Sequence, residues 1–362
     1  MGFDLQMTDE QLALKETLHD FARELLRPAA RPAEEARQTP LELLSRLHDI
    51  GVCAPVDEAY GGGGSLDTIT YLIAAEELAW GDPGIAAQAL GSGLPALVLG
   101  RAGSAELKER YLPSFAQGYV PSFLAYGERF ANGDLDTLDT TVSGAKVEGI
   151  KHGVLNAEQA PFGIVVGRAE GRLAAVVIED GREVVKLEEP LGLEAAPTAV
   201  VAFSGEGEPL PQGPELEAAL LLPKLLTGAL AVGCARASLE HASAYAVERE
   251  AFGRPIGAYQ GISFKIADMA TEVDAARLGL WRAAWLLDRG EAGPADVAAA
   301  VGQALVTALR CGDDGVQILG GHGYIKDHPV EKWFRDAVTL TVLEAPEVLG
   351  DVLVGANSLG VS

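Results

Sequence analysis

Aromatic residues make up only 6% of the 362-residue chain, and cysteines and methionines number three each. With so few rings, a chain that is 48% hydrophobic must build its core from Ala, Leu and Val, a helix-rich bias. Cys53, Cys234 and Cys311 are odd in number and form no CxxC pair. That excludes a disulfide framework, points to a reducing compartment and leaves each thiol as a small buried hydrophobe. Positive charge is scarce too: 28 Lys and Arg face 52 Asp and Glu, a formal net charge of −24. Such a surface repels phosphate backbones, so no nucleic-acid partner is expected. No cleavable signal precedes the first helical pattern and no apolar run reaches membrane-spanning length; the expectation is a cytoplasmic protein with no membrane partner.

What is present divides the chain by pattern. The length suffices for two or three domains and a large shared core. From Thr8 to about Gly118 apolar residues recur at helical spacing, punctuated by Pro28, Pro40, Gly61 to Gly64 and Pro83. Thr8 or Asp9 is placed to cap the first helix, and Glu10 favours its dipole. From about Tyr119 to Ser204 short β-branched runs (FGIVVGRA, RLAAVVIED, TAVVAFS) read as strands. Gly205 to Pro214 reads as a connector. Helical pattern returns over 215–248, 261–288, 294–319 and 329–340, with a last piece from Pro346, and four long striped helices predict an antiparallel bundle. The four glycines from Gly61 lack the Lys-Ser/Thr pair of a phosphate loop and are read as a turn. His322 and His328 lack further ligands at a recognised spacing, so no metal is expected. Trp281, Trp285 and Trp333 are read as packing.

The densest chemistry lies in QILGGHGYIKDHPVEKWFRDAVTLTVLEAP, Gln317 to Pro346. Backbone bare of side chains at Gly320, Gly321 and Gly323 permits close approach of a phosphate. Glu344, preceded by Val342 and Leu343, is a carboxylate at the end of an apolar run, where desolvation would raise its pKa toward that of a general base. Upstream, YAVEREAFGRPIGAYQGISFKIADMATEVDAARL places Arg249 at a helix end, with Phe252 and Gly253 after it. A guanidinium there suits a pyrophosphate in bidentate fashion. On spacing alone Arg249 equally suits pairing with Glu248 or Glu250, and Glu344 an ordinary helix-start glutamate ahead of Pro346.

Together with MTDEQLALKETLHDFARELLRP, LHDIGV, EAYGGGG, AAEELA and LKERYLPSFAQG, these stretches resemble the acyl-CoA dehydrogenase family of flavoproteins over nearly the whole chain. The resemblance implies a mostly α fold with a β middle domain: an N-terminal helical domain over 1–118, a β-barrel-like middle domain over 119–210 and a C-terminal four-helix bundle domain over 211–362. It implies FAD, with Arg249 and Phe252 of R-x-x-F-G, Gln317 and the Gly320-Gly321 turn reaching the FAD of a neighbouring subunit. Glu344 falls in the register of the family's base, which removes the α-proton of an acyl-CoA thioester while the β-hydride passes to the flavin. A tetramer, homo- or hetero-oligomeric, and an electron-transfer flavoprotein as electron acceptor are implied as well.

The middle of the chain departs from the family. LTEPxAGSD has become AYGERFANGD, with Gly127 for threonine, Arg129 for proline and Gly133 for serine. KxWITN has become KHGVLN, with Gly153 for the flavin-packing aromatic and Leu155 for the hydroxyl residue. EGT has become Glu344-Ala345-Pro346, and Lys224 stands for a substrate-side arginine. Each lost hydrogen bond or stacking ring is worth about 1 kcal/mol, and roughly three or four together weaken binding on the order of a thousandfold. The chain is thus expected to have a stripped flavin cradle of its own and an intact outward clasp. Its function reads as acyl-CoA dehydrogenation with Glu344 as base, or alternatively as a non-catalytic or half-site partner subunit of a heteromeric acyl-CoA dehydrogenase, clamping FAD in trans. A flavin-dependent oxidase or monooxygenase is less favoured, because those branches generally do not keep this glutamate.

Overall fold

The computed structural model describes residues 5–129, 134–344, 354–355 and 358. The Thr8 side chain accepts from the Gln11 N–H while Gln11 reaches back to the Thr8 N–H, a capping box that opens α1 (Asp9–Phe21). One π turn leads into α2 (Arg27–Ala36), followed by α3 (Leu41–Asp49), α4 (Thr68–Gly81), α5 (Pro83–Ala102) and α6 (Ala105–Gln117). α4 and α5 are buried over almost their whole length; Asp67 and Asp82 cap them, and Pro83 sits in the first turn of α5, where no N–H partner is needed.

One eight-stranded sheet follows: β1 (Phe123–Ala125), β2 (Thr141–Ser143), β3 (Lys146–Leu155), β4 (Gly163–Ala169), β5 (Arg172–Ile178), β6 (Arg182–Leu187), β7 (Thr198–Glu206) and β8 (Glu208–Pro209). Its order is β6-β7-β3-β2-β4-β5-β8, with β1 parallel to β4. Phe123, Val147, Val165, Val176 and Phe203 form a small core inside it, separate from the main helical core. The connector expected from Gly205 is partly strand, because Glu206 pairs with Lys146 and Glu208 with Val177.

The chain then returns to helix: α7 (Pro214–Ala219), α8 (Leu222–Glu248), a β9 (Glu250–Ala251) and β10 (Arg254–Pro255) hairpin, α9 (Gln260–Asp288), α10 (Pro294–Leu319) and α11 (Val330–Glu344). α8 packs against α4, α9, α10 and α11. The single helix expected over 215–248 breaks at Leu220 and Leu221, where Pro223 in the first turn of α8 offers no N–H to continue α7. The helix expected to stop at Leu340 runs on to Glu344, which closes a helix rather than opening one.

Among the described residues two helical stretches, Pro83–Ala102 and Pro214–Glu248, are long and apolar enough to cross a membrane, contrary to expectation. An 18-residue apolar window in each is 83% and 89% buried within the fold, and a helix hydrophobic all round suits a protein core as well as a bilayer. The three cysteines are buried and unpaired, and Trp281 and Trp333 are buried packing residues as read from their spacing.

Candidate active site

α5, α8, α11 and the near edge of the sheet line a cavity of about 120 Å³. Ala87, Gly91 and Leu94 enter from α5 at one-turn intervals, Leu226 and Leu230 from α8, and Leu340 and Leu343 from α11. Aliphatic walls of this kind exclude water and strengthen electrostatic interactions inside. On the sheet side the cavity is lined by Gly127, His152, Gly153 and Leu155. Three of the altered sequence positions therefore meet the end of α11 in one place. A Cβ on Gly153 would stand 3.6 Å from Leu343 Cδ2. Gly153 has φ 67°, which glycine adopts without strain, and lies where β3 loses register with β7 between Lys151 and Val154.

Paired charges hold this wall from behind. Lys151, fully buried, donates to Glu128 Oε1 at 2.6 Å and to the Tyr126 carbonyl at 3.3 Å. Glu128 also accepts from the Asp139 and Thr140 N–H groups, at 2.6 and 3.0 Å. Burial pulls the Lys151 ammonium down to about 8, which leaves it protonated at neutral pH. Burial alone would raise the Glu128 carboxyl, but hydrogen bonds from Lys151 and Thr140 outweigh it and hold the group below the ordinary range. On the other flank Glu188 Oε2 accepts from the Gly153 N–H at 3.0 Å and the Thr198 hydroxyl at 2.8 Å, and Oε1 lies 3.6 Å from His152 Nδ1. His152 and Thr198 thus add polar groups to a lining that also includes Tyr126, Thr227 and Thr339. No local motif in the sequence announces them, because Glu188 meets His152 only through the fold of the sheet.

The expected base rides on α11. Leu340 and Leu343 line the cavity, and position 344 follows Leu340 by one helical turn, on the same face. The Glu344 side chain itself lies outside the described residues, as do Gly133, Ala345 and Pro346. Buried charges anchor the helix: Lys332 Nζ bridges Asp82 Oδ2 at 2.6 Å and Asp336 Oδ2 at 2.8 Å. Asp336 Oδ1 accepts from the Leu193 N–H at 2.7 Å, and Thr339 Oγ1 from the Gly192 N–H at 2.8 Å. α11 is thereby tied to the N-cap of α5 and to the loop ahead of β7 that closes the cavity.

The five cofactor-binding candidates lie elsewhere. Arg249 ends α8, Phe252 forms the hairpin turn beyond it, Gln317 lies in the last turn of α10, and Gly320 and Gly321 follow. Ring contacts bring the two regions together: Tyr245 and His322 have centroids 6.3 Å apart, and His241 Nε2 lies 3.1 Å from His328 Nδ1. All five candidates are exposed, Phe252 to 96%, and Tyr324 beside them to 84%. Nothing stands within 4 Å of a Cβ position on Gly320 or Gly321, and Gly320 has φ 59°, so the turn presents bare backbone outward. From Leu230 at the cavity to Arg249, α8 rises about 28 Å. The structure unites Gly127, Gly153, Leu155 and the last turn of α11, and places Arg249 at the far end of α8, away from them.

Helices before and after one sheet, with a largely apolar cavity where the three meet, are the frame on which the comparisons with known proteins bear. The family models described as acyl-CoA dehydrogenase N-terminal and C-terminal domains match residues 8–119 and 216–347, either side of the sheet. An acyl-CoA dehydrogenase of Bacillus subtilis (strain 168) is 32% identical over 98% of this chain and 100% of its own. Benzylmalonyl-CoA dehydrogenase of Aromatoleum aromaticum is 33% identical over 93% of this chain and 94% of its own. The solved butyryl-CoA dehydrogenase of Megasphaera elsdenii superposes with a TM-score of 0.87 at 27% identity, covering 99% of this chain and 100% of that one. The chain belongs to the acyl-CoA dehydrogenase family.

Proposed function

We propose that this chain dehydrogenates the α,β bond of an acyl-CoA thioester with FAD as hydride acceptor. The observation that carries the reading is the convergence of the last turn of α11 on the aliphatic cavity, which brings the backbone of Glu344 to a water-poor site. A carboxylate there is suited to take the α-proton, a weakly acidic one that needs a positioned base. FAD fits the residues of the outward face: Arg249, Gln317 and the open Gly320-Gly321 backbone suit a pyrophosphate, while the ring wall at Gly127 and Gly153 gives it no side-chain contact. When bound, FAD supplies the two-electron acceptor. The clasp stands too far along α8 to serve the same chain's cavity, so it serves a neighbouring subunit, in keeping with a tetramer. An electron-transfer flavoprotein then takes the electrons, in the cytoplasm.

The half-site reading is favoured by one observation: Gly127, Gly153 and Leu155 offer the ring no side-chain hydrogen bond. The absorbance spectrum of the purified chain separates the two. Yellow protein that bleaches with an acyl-CoA supports the dehydrogenase, and Glu344→Gln then abolishes bleaching without releasing FAD. Full bleaching in Glu344→Gln removes that residue as base. Colourless protein that retains flavin only when co-expressed with a second chain replaces the dehydrogenase by the partner subunit.

A further inference from the structure

Three of the chain's six histidines, His241, His322 and His328, meet where α8 passes under the Gly320–Tyr324 turn. His328, just ahead of α11, is the hub: its ring centroid lies 5.3 Å from that of His241, 5.7 Å from Tyr245 and 5.8 Å from His322, edge-on to each. Its Nδ1 is 3.1 Å from His241 Nε2, so one ring donates to the other. His241, Tyr245 and Arg249 follow one another by single turns along α8, with Arg249 at its C-cap. The pair thus underlies both halves of the outward face, Arg249 through α8 and the glycine turn through His322.

A hydrogen bond between two imidazoles requires one bare nitrogen. A neutral pair or a single shared proton satisfies it, whereas two charged rings have only donors to offer and repel across 3.1 Å. The charges around the pair favour its neutral form. α2 brings Arg27, whose guanidinium stacks 4.5 Å from the Trp333 ring beside His241, and Arg31, which donates to the His328 carbonyl at 3.3 Å and pairs with Glu34 and Glu331. On α11 Lys332 is engaged with Asp82 and Asp336, and on α8 itself Glu240 accepts from Trp80 Nε1 at 2.7 Å. Glu76 and Glu77 of α4 pair with Arg236, and Lys265 and Glu272 of α9 with Asp314 and Arg310. α10 meets this stretch of α8 with Cys311 and Gly315, and Lys326 and Asp327 ahead of His328 are exposed. Burial, His328 and Arg27 all hold His241 below the ordinary histidine range. An unfolded chain takes up that proton near about 6.5. The pair's stabilisation is therefore complete above that value and is lost as the pH falls through it toward the folded value.

We infer that the His241–His328 pair positions the Gly320–Tyr324 turn for a dinucleotide carried by a neighbouring subunit, and that a proton on both rings loosens the turn and releases it. This rests on the reading of Arg249 and the glycine turn as a clasp for FAD. Arg31 fixes the His328 carbonyl and Pro329 follows it, so the ring moves rather than the backbone when the pair parts. His322 and Tyr245 then lose their common neighbour. A new charge also attracts phosphate, but across solvent that attraction is smaller than the repulsion between rings in contact.

The test uses the flavin-loaded assembly and its His241→Gln variant. FAD retained after gel filtration is followed from about pH 7.5 to about pH 5.5. Hydrogen exchange of the segment from Gly320 to His328, corrected for the intrinsic pH dependence of exchange, is measured beside it. In the wild type FAD affinity should fall on the order of tenfold over this range, and protection of the segment should fall with it. His241→Gln keeps a hydrogen bond to His328 but takes no second charge, so both readouts should stay flat. Readouts that stay flat in the wild type, or fall equally in His241→Gln, overturn the inference and leave the clasp reading intact. Protection that falls in the wild type alone while FAD stays bound shows a turn that holds no cofactor, and overturns the clasp reading with the inference. Should His241→Gln fail to fold, His328→Gln makes the same comparison.

Discussion

At the scale of single residues, the cavity wall depends on charges that never reach water. Lys151 is completely buried, and removing its counter-ion leaves that charge uncompensated. Glu128→Gln should therefore cost about 3–5 kcal/mol of stability, measured by urea unfolding, and should lower FAD content because the segment from Tyr126 to Glu128 loses its tie. Adding Lys151→Met should recover most of the loss; no recovery would mean that the hydrogen bonds to Asp139 and Thr140, rather than the ion pair, hold the segment. The altered residues Gly127, Gly153 and Leu155 were legible in the sequence one at a time. Their meeting with Leu343 was not, since nothing local links a strand to a helix nearly 200 positions later.

At the scale of elements, α8 crosses α4 so closely that a Cβ on Gly233 would run into the Glu76 carbonyl of the α4 backbone. A Cβ on Gly233 would lie 2.7 Å from Ala79 Cβ and 2.9 Å from the Trp80 nitrogen. Gly233→Ala should thus cost about 1–3 kcal/mol through overpacking. Gly279, within α9, has nothing within 4 Å of its Cβ position, and Gly279→Ala should gain up to about 1 kcal/mol from helix propensity. Scanning calorimetry on the pair checks both signs, and equal shifts would show that propensity rather than contact governs Gly233. Helix existence was readable from the apolar period. The break before Pro223 and the run of α11 on to Glu344 were not, because both depend on what the helix ends pack against.

At the scale of the molecule, paired acids set the acid limit of stability. Burial alone would raise Glu34, Glu77 and Glu128, but hydrogen bonds from Arg31 and Arg335, from Arg236 and from Lys151 hold all three below the ordinary range. An unfolded chain takes up protons near about 4.3, and the folded one only lower. Their stabilisation is therefore complete above that value and lost as the pH falls through it toward the folded values. Tm should drop steeply below about pH 4.5, and Glu77→Gln should flatten that slope; an unchanged slope would clear Glu77 of the role. Assembly gives a second expectation. If the clasp serves a neighbour, Arg249→Ala and Glu344→Gln subunits, each inactive alone, should recover part of the activity when co-assembled, since one supplies the clasp and the other the base. Activity that stays absent in mixed oligomers would place both roles in one chain.

By itself the sequence determined the family, the succession of helix, strand and helix, and the positions that depart from the family's motifs, because periodicity and spaced motifs are written along the chain. Only the tertiary structure decided that Gly127, Gly153 and Leu155 share a cavity with the end of α11, that His152 and Glu188 face each other at its edge, and that His241 pairs with His328. Such contacts arise when close packing brings distant backbone segments within a few ångströms, a distance that no local pattern of residues encodes.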